Sequence, residues 1–291
     1  MSMTSLTLRA PAKINLSLRI LGKRHDGYHE LHTVFQRITL ADQLSFRAIP
    51  KGINLRCAHS DLPSDSTNLV FKACRLVQSY SGLKKGVEVF LEKRIPLASG
   101  MGGGSSDAAT ALIGMNRLFR LGLREDELLH LGQQLGADVP FFIFNSPLAL
   151  GEGRGDILTS LPSATKMSVC LTFLPEGIST KSVYNALVLA QNPPSLTKIS
   201  CDATMLSVFL TSKNLPGISN LLRNDLFKPA CQIKPAIGRV LSFLRREWPC
   251  SAMSGSGPTL FTLFEDMNEA RSAARKISGS LGLMTWAGRM G

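Results

Sequence analysis

The sequence lacks any run of about eighteen apolar residues, and its N-terminus, MSMTSLTLRAPAKINL, has no apolar signal core. These absences argue against a membrane-spanning or secreted protein. The six cysteines include no Cys-x-x-Cys pair, and no histidine lies at zinc-ligand spacing, so neither a metal framework nor a disulfide ladder is indicated. We therefore expect a cytoplasmic protein with reduced thiols and no transit peptide.

No long tract of like charge or of biased composition is present, although the formal charge is +12, from 33 Lys and Arg against 21 Asp and Glu. The 44% hydrophobic content is typical of a globular protein. Excess positive charge favours anionic partners, such as nucleotides, phosphorylated metabolites or nucleic acid. Because the basic residues are dispersed and form no long arm, we expect no nucleic-acid partner, although charge alone does not choose among the other anionic partners. We also expect no membrane and no obligate protein partner.

The chain of 291 residues exceeds the usual size of one domain, which favours two. The segment GEGRGDILTSLPSA is rich in Gly, Pro and Ser and predicts a boundary that separates residues 1–155 from residues 156–291. Strands and helices mix without the regular alternation of a parallel barrel. The predicted fold class is therefore α+β.

Between Leu6 and Ile20 apolar residues occupy the even positions and mostly polar residues the odd ones. This period of two predicts a strand with one buried face. Lys13 and Asn15 then share the opposite face. A solvated surface and a functional site both remain open for that face.

Helical spacing of apolar residues predicts a helix from Asn68 to Ser81 and another over 105–119, with the strand GVEVFLE between them. REDELLHLGQQLGADVPFFIF predicts a third helix with Gly136 at its C-cap, a joint at Asp138 and then an apolar strand. The second half predicts a strand at KMSVCLTFL, helices near 180–190, 202–213 and 234–247, a glycine-serine turn in SAMSGSGPTLFTLF, a helix from Asn268 and a short last strand.

The segment PLASGMGGGSSDAAT, residues 96–110, places glycines and serines directly before an alanine-rich helix. A helix N-terminus leaves N–H groups unpaired and carries partial positive charge, so the segment predicts a phosphate-binding loop, with a flexible link as the alternative. The loop has no lysine, which excludes a Walker A motif, and no third glycine of a dinucleotide fingerprint. Neither a Gly-x-Ser-x-Gly elbow nor the protein-kinase sequences His-Arg-Asp and Asp-Phe-Gly occur.

Together these residues resemble the GHMP kinases, the family of galactokinase, homoserine kinase and the mevalonate kinases. PLASGMGGGSSDAA is similar to the family's phosphate loop, APAKINL at 10–16 to its first motif and SAMSGSGPTLF at 251–261 to its third, in family order. Met101 replaces the commoner Leu, and Pro258 removes one N–H donor. The resemblance implies a two-domain GHMP kinase fold. Its N-terminal domain would be α/β and ribosomal-protein-S5-like, its C-terminal domain ferredoxin-like α+β, with the active site in the cleft.

PAKINLSLRILGKRHDGYHEL and LGADVPFFI are most similar to the branch of the family that acts on 4-diphosphocytidyl-2-C-methyl-D-erythritol. This resemblance implies an ATP-dependent kinase, with Mg²⁺, that phosphorylates the 2-hydroxyl of that small molecule in the non-mevalonate (methylerythritol phosphate) route to isoprenoids. Three alternatives remain: a GHMP kinase for a smaller alcohol such as mevalonate or homoserine, a catalytically silent nucleotide-binding regulator, and a basic RNA-binding protein.

The resemblance also assigns the catalytic residues, Lys13 and Asp138. Asp138 would accept or orient the proton of the substrate hydroxyl, and Lys13 would stabilise the charge on that oxygen. The residues alone leave open that Asp138 is a turn carboxylate at the end of a helix.

For ATP, the resemblance implies contacts from Asn68 and from the whole loop. The loop residues are Pro96, Leu97, Ala98, Ser99, Gly100, Met101, Gly102, Gly103, Gly104, Ser105 and Ser106. Ser106 is the protein hydroxyl expected near Mg²⁺. The alternative role of Asn68 is the N-cap of the helix that follows it.

For the alcohol substrate, the resemblance implies contacts from Asn15, Tyr28, His29, Thr180, Tyr184, Gly255 and Gly257. Tyr28 and Tyr184 would stack on the cytosine, His29 would bind it through hydrogen bonds, and Asn15 would contact the erythritol. The alternatives are a core position for Tyr184 and a plain hairpin turn for the two glycines. The remaining histidines, His25, His32, His59 and His130, are interpreted as ordinary surface or packed residues.

Overall fold

The structure is a computed structural model that describes residues 5–58, 62–162, 167–188 and 196–291, without the side chains of 196–198. His59 and the last predicted residues of the helix near 180–190 lie outside this part of the chain. The strands are β1 (Ser5–Lys23), β2 (His29–Ile49), β3 (Ile53–Cys57), β4 (Gly86–Glu92), β5 (Leu148–Gly153), β6 (Ile157–Ser160), β7 (Ser168–Phe173), β8 (Arg223–Asn224), β9 (Ser251–Met253), β10 (Leu260–Phe264) and β11 (Met284–Arg289). The helices are α1 (Leu69–Ser81), α2 (Gly103–Phe119), α3 (Glu125–Leu135), α4 (Val139–Ile143), α5 (Thr180–Asn185), α6 (Leu196–Thr211), α7 (Leu215–Leu221), α8 (Phe227–Ile233), α9 (Ala236–Glu247) and α10 (Met267–Leu281).

The chain divides into two compact units that are built from separate segments. The first unit contains the described residues up to Ala12, Leu40–Pro96 and Gly102–Asn145, and the second contains Lys13–Thr39, Leu97–Met101 and Ser146–Gly291. The long strands β1 and β2 each contribute residues to both units. The predicted boundary between residues 155 and 156 stays a prediction, and GEGRGDILTS forms the hairpin of β5 and β6 in the second unit.

The first unit contains helices α1 to α4, the N-terminal half of β1, the C-terminal half of β2, and strands β3 and β4. β4 pairs antiparallel with residues 43–49 of β2 and parallel with β3. A Cβ atom on Gly114 of α2 would lie only 2.5 Å from the ring of Phe46. Because glycine lacks this atom, α2 lies directly on the fully buried Phe46 side chain.

In the second unit, an antiparallel sheet in the order β11-β7-β10-β9 lies against helices of the C-terminal half. Its core combines Cys170, Leu260 and Phe264 of the sheet with Leu241 of α9 and Ile277 of α10. The same unit contains the antiparallel pairing of β5 with residues 31–36 of β2 and the parallel pairing of β8 with β1. This mixture of helices and sheets confirms the α+β class.

The period of two in the N-terminal sequence correctly predicts β1, whose even-numbered residues from Ala10 to Ile20 are buried. Lys13 and Asn15, however, are buried as well, with 4% and 2% of their surfaces exposed. The alternative of a solvated polar face is therefore wrong for these two residues.

The apolar strand predicted after Asp138 is also wrong, because residues 139–143 form the short helix α4. All five side chains of α4 are buried. A short apolar run has no periodicity that separates a buried strand from a buried helix. Pro140 favours the helix, since the missing N–H is tolerated in a first turn but would remove a bond from a sheet.

Within the described residues, no helix is both long and apolar enough to cross a membrane. The predicted elements α1, α2, α3, β4, β7, α9 and α10 are confirmed with small shifts of their ends. Helix α6 begins at Leu196 instead of near residue 202, and α5 ends at Asn185 instead of near residue 190. The sequence did not predict β3, β5, β6, α7, α8 or the two-residue strand β8.

Candidate active site

The glycine-rich segment leads into an uncapped helix. Helix α2 begins at Gly103, its N-cap is Gly102 in the left-handed conformation (φ 68°), and no side chain in the described part of the protein caps it. No acidic residue lies in its first turn. The amides of this turn therefore remain open toward an anion, as the prediction of a phosphate loop requires.

The centre of the loop contacts the third motif within the second unit. Ser254 Oγ donates a 3.1 Å hydrogen bond to the carbonyl of Gly100. A Cβ atom on Gly100 would lie 2.5 Å from Ser254 O, and one on Gly255 would lie 2.8 Å from Gly100 O. Two backbones at this distance require glycine on both sides. The structure thus brings together two motifs that are about 150 residues apart in the sequence.

Lys13 lies in a buried polar network on β1. Its backbone N–H donates to Met101 O (3.1 Å), and its Nζ donates to Asn15 Oδ1 (2.7 Å) and lies 5.1 Å from the ring centroid of Phe35. Asn15 Nδ2 in turn donates to Thr33 Oγ1 (2.8 Å), and Thr33 donates to the carbonyl of Ser17. The ammonium group is therefore oriented by a chain of hydrogen bonds in a dry environment.

The network also joins Asn15 to the third motif, because Ser254 Oγ accepts a 3.3 Å bond from the backbone N–H of Asn15. One serine hydroxyl thus links the strand that carries Lys13 to Gly100 of the loop. From the sequence, Ser254 was identified only as part of the third motif, and no pattern pointed to Thr33. Both residues are positioned by pairing that a linear pattern does not reveal.

Asp138 immediately precedes α4, in the first unit. Its backbone is helical (φ −82°, ψ −13°), and the carboxylate does not cap the helix. The amide of Val139 bonds to Gly136 O instead (3.2 Å), which turns the chain sharply between α3 and α4. The prediction that Asp138 lies at a joint is confirmed, whereas its catalytic role stays a prediction.

Asn68 acts as the N-cap of α1: its Oδ1 accepts from Val70 N (2.9 Å), and its Nδ2 donates to Pro63 O (2.7 Å). These contacts support the structural alternative for this residue. The predicted contact with adenine stays a prediction.

Ser106 and Asp107, in the second turn of α2, carry buried oxygens that have no hydrogen-bond partner among the described residues. They are Ser106 Oγ and Asp107 Oδ1. Burial is the largest cause that raises the pKa of Asp107 to about 7, against the lowering effect of Lys93. Buried polar atoms without partners are costly, so the hydroxyl of Ser106 indicates a place where a ligand completes the bonding.

No group of three or more His, Cys, Asp or Glu residues within the described ranges could hold a metal ion by itself. Mg²⁺ in nucleotide sites is bound mainly by phosphate oxygens with one or two protein ligands. The unpartnered hydroxyl of Ser106 fits that pattern.

The predicted substrate residues Tyr28, His29 and Tyr184 lie in the second unit, and two of them touch. The ring centroids of His29 and Tyr184 are 5.0 Å apart and the rings are tilted by 35°, so these two side chains are in direct contact. Tyr184 also packs against the core, which supports its structural alternative. Burial, followed by Lys23, lowers the pKa of His29, which favours the neutral imidazole.

Tyr28 is half exposed, and Arg154 covers one face of its ring, with Cζ 4.9 Å from the centroid. Asp156 holds the guanidinium of Arg154 through a 2.6 Å ion pair. The turn that presents Tyr28 is closed by Asp26, whose carboxylate accepts from Tyr28 N (3.0 Å). The sequence did not identify Arg154, since a lone arginine in a hairpin carries no motif.

The other predicted substrate residues lie around the β9–β10 turn. Thr180, at the start of α5, shares a 2.9 Å hydrogen bond between its Oγ1 and Ser256 Oγ. Gly255 and Gly257 both have positive φ angles, 54° and 79°. The turn is a hairpin turn in the structure, and its contact with substrate stays a prediction.

Comparisons with known proteins agree with this arrangement. Residues 68–146 match the GHMP kinases N terminal domain, and residues 208–281 match the GHMP kinases C terminal domain. A curated relative from Geobacter sp. (strain M21), 4-diphosphocytidyl-2-C-methyl-D-erythritol kinase, is 40% identical over 96% of this chain and 97% of its own length.

Solved structures are similar along the whole chain. A crystal structure of 4-(cytidine 5'-diphospho)-2C-methyl-D-erythritol kinase is 33% identical, with a TM-score of 0.82 over 98% of this chain and 99% of that one. Homoserine kinase from Cytophaga hutchinsonii has a TM-score of 0.77 at 17% identity, over 99% of this chain and 95% of that one, which shows the fold alone. The chain belongs to the GHMP kinases and, within them, to the family of 4-diphosphocytidyl-2-C-methyl-D-erythritol kinases.

Proposed function

We propose that this protein transfers the γ-phosphate of ATP to the 2-hydroxyl of 4-diphosphocytidyl-2-C-methyl-D-erythritol, a step of the non-mevalonate isoprenoid pathway. The observation that carries the proposal is the uncapped N-terminus of α2, which directly follows the glycine-rich loop in the chain. In that loop, the carbonyl of Met101 accepts a hydrogen bond from the backbone N–H of Lys13. The names of the relatives with 40% and 33% identity support the choice of acceptor.

ATP would bind along residues 96–106, where the amides of the first turn of α2 and the hydroxyls of Ser105 and Ser106 contact the triphosphate. The helix backbone holds these amides in place before binding, so they would not need to reorganise as charge develops during transfer. Mg²⁺, when bound with the nucleotide beside Ser106, would neutralise phosphate charge.

Asp138 would accept the proton of the attacking hydroxyl, and Lys13 would stabilise the negative charge that develops on that oxygen. Phosphoryl transfer needs mainly positioning and charge neutralisation. The hydrogen bond from Lys13 Nζ to Asn15 Oδ1 orients the ammonium group that would take this role.

The cytosine would be recognised by Tyr28 and His29. Stacking on the exposed face of Tyr28 fits the geometry, because Arg154 covers the other face. A neutral His29 can both donate and accept hydrogen bonds at a base edge. Tyr184 would form the second wall of the sandwich, opposite Tyr28, with its ring against His29.

We also propose that the protein works in the cytoplasm. All six cysteines are free thiols. Burial raises the pKa of Cys74, Cys170 and Cys250 to about 12, so these thiols are unreactive. Such cysteine usage fits a reducing compartment.

The test is ADP release by the purified protein with ATP, Mg²⁺ and a panel of alcohols: the cytidylyl compound, mevalonate and homoserine. We expect release with the cytidylyl compound alone, with one phosphate added at its 2-hydroxyl as seen by ³¹P NMR. Release with mevalonate or homoserine but not with the cytidylyl compound would instead indicate a kinase for smaller alcohols. ATP binding without any acceptor-dependent ADP release would indicate a regulator.

A further inference from the structure

Both ends of the phosphate loop are attached to one buried cluster of charges in the first unit. The cluster consists of Asp42 on β2, Lys93 after β4 and Asp107 on α2, whose side chains are 0%, 6% and 5% exposed. Lys93 Nζ donates to Asp42 Oδ2 and, at 2.8 Å, to Asp107 Oδ2. We call these three residues the buried triad.

The contacts of Asp42 hold the chain where the loop begins. Its Oδ1 accepts from the backbone N–H groups of Arg94 (2.5 Å) and Ile95 (2.8 Å), directly before Pro96. At the other end, Asp107 directly follows Ser106, the last residue of the loop. The triad therefore fixes the entry to and the exit from the loop, and none of these bonds uses an amide of residues 97–106.

This feature matters because a helix that binds phosphate cannot be fixed in the usual way. Many helix starts are held by a capping side chain that occupies one or two of the first free amides, as Asn68 does in α1. In α2 the N-cap is glycine, and those amides are not capped by a side chain. The start of α2 must then be positioned by contacts on its buried face and not by a cap on its free amides.

Gly103 shows how closely the start of α2 lies on the triad. A Cβ atom at this position would be 3.1 Å from Lys93 Nζ and 3.1 Å from Ile95 Cγ2. The first residue of the helix thus contacts the ammonium group that joins both carboxylates. A shift of Lys93 would move the amides that face the ligand.

We propose that Asp42, Lys93 and Asp107 are positioning residues of this kinase, which fix the first turn of α2 so that its free amides match the ATP triphosphate. The inference rests on the proposed function to the extent that the loop binds ATP. It does not depend on which alcohol accepts the phosphate.

The triad offers variants of graded severity. Asp107→Ala releases the helix but leaves a balanced Asp42–Lys93 pair, so that the fold keeps no unpaired buried charge. Asp107→Asn keeps an acceptor for Lys93, and Lys93→Met removes the connection to both ends. Asn116→Ala is the matched control, because Asn116 fixes the far end of α2 through two bonds to the backbone of Leu123 (2.8 and 3.0 Å).

The experiment measures the Kd of a non-hydrolysable ATP analogue with Mg²⁺ by calorimetry, the KM of ATP and of the alcohol, and the Tm of each variant. We expect Asp107→Ala and Lys93→Met to raise the Kd of the analogue about tenfold, the scale of one hydrogen bond to a charged group, with the KM of the alcohol unchanged. Asp107→Asn should bind nearly as the wild type does. The double variant Lys93→Met with Asp107→Ala should bind no more weakly than the weaker single variant, since both act through one cluster.

Asn116→Ala should lower Tm and leave the Kd unchanged. The proposal is overturned if folded Asp107→Ala binds the analogue as the wild type does, or if Asn116→Ala weakens binding equally. If Lys93→Met does not fold, the pair Asp107→Ala and Asp107→Asn decides. The ATP analogue binds without an acceptor alcohol. If the proposed acceptor is wrong, the ADP-release assay will show it, and the measured Kd values of the analogue will not change.

Discussion

The Nζ atom of Lys13 donates a 2.7 Å hydrogen bond to Oδ1 of Asn15, two residues further along the same strand, and both side chains are buried. Residues two apart on a strand share a face, so strand geometry alone aligns the pair. The bond gives the ammonium group one preferred direction. Asn15 is in turn held by Thr33 and Ser254.

This relationship predicts that Asn15→Ala lowers kcat/KM for the alcohol about tenfold or more, because Lys13 loses a charge-assisted hydrogen bond. Thr33→Val should have a smaller effect in the same direction, since it removes only the bond that orients Asn15. Steady-state kinetics of the two variants would check this. An unchanged kcat/KM in Asn15→Ala would show that Lys13 does not depend on its neighbour.

Asp138→Asn should lower kcat about a hundredfold or more, the usual effect of removing a general base, while the Kd of an ATP analogue stays near that of the wild type. Asp126→Asn is the control, because Asp126 is an exposed carboxylate of α3 that pairs with Arg124. It should leave kcat unchanged. Near wild-type turnover by Asp138→Asn would contradict the mechanism.

Tyr28→Ala should raise the KM of the cytidylyl substrate about tenfold, since stacking of one base contributes about 1–3 kcal/mol, and leave the KM of ATP unchanged. Tyr80→Ala provides a control, because the two tyrosines are 50% and 48% exposed. Equal rises in both KM values would remove Tyr28 from the cytosine site.

Ser106→Ala should raise the KM of MgATP without lowering Tm, because the fully buried hydroxyl it removes has no partner among the described residues. Ser105→Ala tests whether the effect is specific to this position. Scanning calorimetry and ATP kinetics together decide the outcome. A large fall in Tm with unchanged KM would assign Ser106 to the fold alone.

His32 should make folding stability depend on pH. Burial is the largest cause that lowers its pKa below 6.5, and Glu152 opposes this effect. Below pH 6.5 the unfolded chain then binds more protons than the folded one, so stability is full above that pH and falls as the pH drops further. The buried Nδ1 of His32 has no partner among the described residues, which adds to the cost of charging the ring.

Urea unfolding at pH 8 and pH 5.5 measures this dependence. We expect His32→Gln to lose less stability between the two pH values than the wild type does. His130→Gln, a change at an exposed histidine, should behave as the wild type. Identical losses in wild type and His32→Gln would refute the assignment.

The sequence by itself determined the elements that have a strong local signal. The alternation from Leu6 to Ile20 predicts β1, and Asn68 and Gly82 mark the two ends of α1. The glycines before the alanine-rich segment predict an open helix start, because glycine adopts the left-handed backbone of Gly102 at the lowest cost and has no side chain to cap the helix. These features depend on local backbone sterics and on which face of an element is buried. The order and spacing of residues along the chain reflect both, so the sequence predicts them.

Tertiary structure decided what depends on contacts between distant segments. The sequence left open whether Lys13 and Asn15 lie on a solvated surface. In the structure both side chains are buried and joined by a hydrogen bond. The run after Asp138 became α4, since an apolar sequence fits either a buried helix or a buried strand until its neighbours are placed. Asp42, Lys93 and Asp107 form one cluster only after β2, β4 and α2 pack, because a charge finds its partner in space and not along the chain.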